Sequence, residues 1–256
     1  MSLTTKYTLK PSLQEKFKGI IWKIETNNIN GVIAIETRSS DNKEAFYSAF
    51  NFKTGEKLFK EITVEDSWHW SLDKAYNDFV YLHGYISEKS PEHKGIVALN
   101  HHGTIAWTAY NKTLETVAEE GLIIYNPTFQ QKELELADAA TGKIVQNKLS
   151  HYTPLNREMY FPETLEDVLL FPAEIEGTLV GPVSYISYNE KDCYSFHCTK
   201  DAVTSQVLLI KKDHNTLHKE ILEDNISKLN PEPFFIEENH LFCIRNNKRE
   251  IVTYFV

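Results

Sequence analysis

Five times along the chain a short apolar strand ends on a polar residue, and each time further strands and tight turns follow. The five are VIAIE ending on Glu36, FVYLH on His83, LIIYN on Asn126, YSFH on His197 and LFCIR on Arg245. Repetition at roughly 40 to 50 residues marks an array of units that bury their apolar faces only by stacking on neighbours. Before each strand stands a pair suited to a hairpin: Asn30-Gly31, Asn77-Asp78, Glu120-Gly121, Lys191-Asp192 and Asn239-His240. A third strand follows in each repeat: AFYSAFNF, GIVALN, ELELAD, QVLLIKK and EIVTYFV. In four repeats a second turn (KTGEK, HHGTI, ATGKI, DHNTL) leads into an outer strand.

The fifth repeat has no outer strand of its own, and the segment GIIWKIE at 19–25 has the length and pattern to supply it. Closure by a strand from the opposite terminus removes an exposed sheet edge. The pattern therefore predicts an all-β chain, a five-bladed β-propeller closed by an N-terminal strand, with residues 1–18 as a tail and 19–256 as one domain. Asn126 and His197 lie 71 residues apart, against 43 to 48 for the other intervals, so something is inserted between them. The insertion, 150–178, is punctuated by Pro154, Pro162 and Pro172. It reads as an ordered excursion capping one face, or as a degenerate sixth blade.

Composition supports β-structure and excludes some partners. The 13 Tyr and 14 Phe suit pleated, half-buried surfaces. A formal charge of −9 argues against a phosphate-tracking surface, so nucleic acid is not an expected partner. The polar, lysine-containing start has no apolar h-region, and no stretch approaches the length of a membrane span. Three sparse cysteines, Cys193, Cys198 and Cys243, do not make a disulfide framework. A soluble, cytoplasmic chain with reduced thiols is expected, the cysteines serving as small buried hydrophobes.

Within the repeats, Ala98-Leu99-Asn100-His101-His102-Gly103-Thr104-Ile105-Ala106-Trp107 and Ala137-Asp138-Ala139-Ala140-Thr141-Gly142-Lys143 resemble the Ala-x-Asp-x-x-Thr-Gly-x-x-x-Trp docking motif of quinoprotein-type propeller repeats. Phe52-Lys53-Thr54-Gly55-Glu56-Lys57-Leu58-Phe59 is a weaker copy. The resemblance covers three repeats, with Trp22 as the tryptophan of the closing strand, and it implies fold more than activity. Quinoprotein dehydrogenases carry an adjacent cysteine pair and a calcium-bound quinone. This chain has no adjacent cysteines, so the uncharacterised bacterial propeller-like members are the nearer comparison and no cofactor is expected.

If the apolar strand is second in each blade, Glu36, His83, Asn126, His197 and Arg245 form a ring on one face, able to hold a small anionic or metal-bound ligand. The plainer alternative is that strands simply finish on polar residues at a surface. Trp68, His69 and Trp70 enter the second blade on the same face, where the tryptophans either stack a flat ligand or pack between blades. His101-His102 falls in a turn on the opposite face. The tight spacing of a metal motif is missing, as are a phosphate loop and a nucleophile elbow. Two functions stand: a non-catalytic binding module or scaffold for a protein or peptide, and a small-molecule hydrolase or lactonase-like propeller with a polar site, with or without a metal, at the channel mouth. The second requires Glu36, His83, His197 and Arg245 to converge.

Overall fold

The computed structural model describes residues 6, 7, 9–86, 92–230 and 232–256. The chain is all-β, with five antiparallel sheets and, among the described residues, no α-helix; two 3-10 turns occur, Ser67–His69 and Val168–Leu170. No described helix is long and apolar enough to cross a membrane. The contacts divide the chain into two compact units, Phe17–Arg157, and Met1–Lys16 with Glu158–Val256.

The Phe17–Arg157 unit holds three sheets, each four strands paired in chain order. The first is Ile20–Asn27, Val32–Ser39, Glu44–Asn51 and Lys57–Ile62. The second is Trp70–Tyr76, Phe79–Tyr85, His93–Leu99 and Ile105–Ala109, and the third Thr113–Ala118, Gly121–Tyr125, Leu134–Ala137 and Ile144–Gln146. Strand alternation sends side chains to both faces of the second sheet. Val80 and Leu82 pack with Ala34, Tyr47 and Ala49 of the first sheet, whereas Tyr81 and Ile96 pack with Leu114, Leu122 and Ile124 of the third. Burial on both faces is why the second strands read as nearly unbroken apolar runs.

Sheets in this unit are also docked through their turns. Asn51, Asn100 and Asp138 each accept backbone N–H bonds from residues two to four positions on, closing three equivalent turns whose glycines, Gly55, Gly103 and Gly142, have φ of 75°, 74° and 67°. The Trp107 indole Nε1 donates to the Ala139 carbonyl at 3.0 Å, and the Tyr81 hydroxyl donates to the same oxygen at 3.0 Å. A Cβ added at Gly142 would lie 2.6 Å from the Trp107 ring, so the glycine is required by both conformation and contact. Phe59 stands in the corresponding place against Gly103.

In the other unit, the fourth sheet runs Thr178–Tyr188, Lys191–Lys200, Val203–Lys212 and Asn215–Glu223, extended at its edges by Glu163–Leu165 and Lys6–Tyr7. The fifth runs Phe234–Glu237, His240–Arg245 and Glu250–Phe255, with Met159–Tyr160 on one edge and Pro11–Lys16 on the other. Their core joins Leu208, Ile210 and Leu222 to Phe234, Leu241, Val252 and Tyr254. All three cysteines are buried and free.

Three sequence expectations change. The outer strand of the fifth sheet is Pro11–Lys16, paired with Glu250–Phe255, and not 19–25. Residues 20–27 instead pair with Val32–Ser39 across a short turn, because a local hairpin closes at far smaller entropic cost than a pairing over the whole chain. The polar PSLQEK escapes recognition since an outer strand needs little apolar surface. Leu13 is its one buried side chain, and proline is tolerated as first residue at an edge. Trp22 accordingly lies in a first strand, at a register shift that leaves it 64% exposed, and is not the closing strand's docking residue. The third hairpin turns at Glu119-Glu120, with Gly121 already paired to Ala118, rather than at Glu120-Gly121, and the fourth and fifth turn at Asn189-Glu190 and Glu238-Asn239, these four with positive φ, rather than at the Lys191-Asp192 and Asn239-His240 pairs. The insertion forms no sheet of its own among the described residues, giving one short strand to each of the fourth and fifth sheets.

Candidate functional site

Two bulges in the second sheet bring together three side chains of types that can ligate a metal. Between the first two strands, Leu72 pairs with Leu82 and Lys74 with Tyr81, leaving Asp73 as the extra residue. Between the next two, His83 pairs with Ile96 and Tyr85 with His93, so Lys94 and Gly95 oppose Gly84 alone. A bulge re-aims the side chain beside it. Here the result is that donor atoms of Asp73, His83 and His93 all lie within 4.8 Å of one another. Gly84 and Gly95 are covered by the Trp70 ring, whose atoms would lie 3.4 and 3.0 Å from a Cβ at those positions.

His83 is 3% exposed. Its Nδ1 sits 3.2 Å from Asp73 Oδ2 without hydrogen-bond alignment, and its Nε2 has no hydrogen-bond partner. The His83 and His93 rings stack at 3.5 Å with planes 12° apart, and Tyr85 meets both edge-on. Burial, with the neighbouring His83, holds the His93 imidazole below its ordinary pKa, and Asp73 only partly opposes this. His93 also lines a cleft of about 420 Å³ between the second and third sheets. Ile86, Tyr125 and Phe129 give it apolar surface, while Lys132 ion-pairs with Glu115 at 2.6 Å and lies over the Tyr125 ring at 4.4 Å.

The sequence-predicted residues are placed as follows. Glu36 is fully buried and accepts bonds from Ser71 Oγ and Leu72 N, both at 2.7 Å, and from Arg38 Nε at 2.5 Å. It thus ties the first sheet to the second. Arg38 lies 5.1 Å from the Trp22 ring and 5.0 Å from that of Trp68, and donates to the Trp70 carbonyl. Trp70 packs on the sheet core with Tyr110 6.2 Å away, and His69 is exposed. Asn126 caps its own turn, accepting from Thr128 N and Oγ1. No bond links Glu36, His83 and Asn126 among the described residues of their unit.

In the other unit, His197 Nε2 accepts from Asn230 N at 3.2 Å, and burial lowers its pKa. Arg245 ion-pairs with buried Glu220 and with Glu250 at 3.1 Å, inside a network that adds His218, Gln14 and the Tyr254 hydroxyl, which donates to Glu220 at 2.6 Å. Burial pushes the Glu250 carboxyl up, but its bonds from Arg245 and Gln14 outweigh this and hold it below the usual range. No bond links His197 to Arg245. Asp73 and His93 were not singled out by sequence reasoning. The available signal was their equal ten-residue spacing from His83 over three successive strands.

A family model for a domain of unknown function, DUF4905, matches residues 26–107, most of the first two sheets and the whole Asp73, His83 and His93 cluster. No curated protein matches the chain. Among solved structures, Raptor from Chaetomium thermophilum is similar at 10% identity and a TM-score of 0.38, over 97% of this chain and 29% of that one. An uncharacterised protein from Listeria monocytogenes EGD-e is similar at 9% identity and a TM-score of 0.32, over 98% of this chain and 85% of that one. The chain spans less than a third of Raptor's length, and at these scores neither likeness bears on fold or function.

Proposed function

We propose that the five sheets are the blades of a β-propeller, related to quinoprotein-type repeats, and that the chain is a non-catalytic cytoplasmic binding module. Its ligand is a short protein or peptide segment received in the cleft between the second and third sheets. The observation that carries this is the cleft's composition: a mainly polar lining with exposed Ile86 and Phe129 at hand as apolar contacts, beside a preformed Lys132–Glu115 pair that offers both charges to a partner's backbone or side chains. The polar groups a hydrolase would draw on are bonded into the fold, Glu36 by three donors and Arg245 by two carboxylates. The Trp107–Gly142 docking supports the kinship, and three buried thiols suit a reducing compartment.

The test is selection of displayed peptides on the purified chain, followed by affinity measurement against Phe129→Asp and Lys132→Glu. Cleft ligands are expected to weaken at least about tenfold with either change, a loss of ~1.4 kcal/mol. Selected peptides indifferent to both would remove the cleft from the reading. The hydrolase or lactonase-like alternative rests on His93 joining the cleft wall to Asp73 and His83. It expects ester or lactone turnover that His93→Ala abolishes.

A further inference from the structure

We propose that Asp73, His83 and His93 form a binding site for one divalent transition-metal ion of the zinc class. The site goes beyond the peptide-binding reading and does not depend on it. Two imidazoles and one carboxylate are the donor set of borderline metals, whereas magnesium and calcium take oxygen ligands. The three side chains come from three adjacent strands of one sheet, so the site is held by hydrogen-bonded backbone.

Electrostatics give the second, independent observation. Asp73 Oδ2 and both His83 nitrogens are buried without hydrogen-bond partners, and such groups cost stability unless something satisfies them. A cation bound by Asp73 Oδ2 and one His83 nitrogen removes the part of that cost that those two atoms carry. With donor atoms within 4.8 Å, one ring must turn about its Cβ–Cγ bond, since stacked imidazoles aim their lone pairs side by side. His93 is half-buried at the cleft wall and has the freedom to do so. With three protein ligands, a fourth coordination position is left for water or for an oxygen or nitrogen of a bound molecule.

The experiment uses the full chain, stripped with a chelator and dialysed against micromolar Zn2+ with elemental analysis, alongside Co2+ absorption spectra. His101→Gln/His102→Gln is the control, because that exposed pair, with ring centroids 3.8 Å apart in a turn of the same unit, is the obvious competing surface site. One Zn2+ per chain is expected, with affinity falling at least about tenfold in His93→Gln and unchanged in the control. Cobalt bands should vanish in His93→Gln. Asp73→Asn, which keeps the side-chain size, gives the same reading should His93→Gln fail to fold, and in the wild type the ring-proton signals of His83 and His93 should shift with zinc. No zinc bound at micromolar concentration, zinc binding in the two site variants equal to that of the wild type, or binding lost in the control overturns the site.

Discussion

Glu36 illustrates how a polar strand end becomes structural. It is fully buried and satisfied by Arg38, Ser71 and Leu72, and Arg38 is held in turn near two tryptophan rings. Arg38→Ala is expected to cost about 3 to 5 kcal/mol, since it strands a buried carboxylate, whereas Glu36→Gln/Arg38→Met should recover much of that loss. Urea unfolding followed by tryptophan fluorescence measures both. Gly142→Ala combines a positive φ with contact against Trp107 and should cost more than about 1 kcal/mol. His218 sets a pH dependence: burial, then the nearby Arg245, lowers its pKa from 6.5 to about 4. As pH falls from 6.5 towards 4, the unfolded chain takes up a proton that the folded chain refuses, so stability drops through this window and levels off below it. The slope of stability against pH should flatten in His218→Gln.

At the scale of elements, the strand Pro11–Lys16 depends on one apolar anchor. Leu13→Ala is expected to cost about 3 kcal/mol and to speed thiol labelling of Cys243, which lies on the strand next to the one Pro11–Lys16 pairs with. An outer strand of this kind is almost invisible in sequence because one of its faces is wet. The central strands were legible for the opposite reason: buried on both faces, they carry continuous Val, Ile, Leu and aromatic runs that recur with the repeat. Hairpins with Asn-Gly or Asn-Asp were legible too, while Glu119-Glu120 was missed by one residue because Gly121 looked like the turn, and Asn189-Glu190 and Glu238-Asn239 were missed because glutamate seldom takes a left-handed conformation. Of the metal cluster only His83 was singled out. Asp73 and His93 reach it through bulges, and a bulge is a register event that residue alternation does not encode.

Across the whole molecule, the intrinsic probes are segregated. All four tryptophans, Trp22, Trp68, Trp70 and Trp107, fall in the Phe17–Arg157 unit, and all three cysteines fall in the other. Burial pushes the Cys193 and Cys243 thiols up to about 12, so the folded chain should resist thiol reagents at neutral pH. The propeller reading expects tryptophan fluorescence and thiol labelling to report one coincident unfolding transition, and two separate midpoints would count against it. The pairing of Pro11–Lys16 with Glu250–Phe255 has a consequence for synthesis. Gln14 bonds Glu250, 236 positions later, so the two halves of that ladder are synthesised 236 residues apart. Until the later strand is made, the edge of Pro11–Lys16 has no partner, so the ladder is among the last pairings that folding can complete.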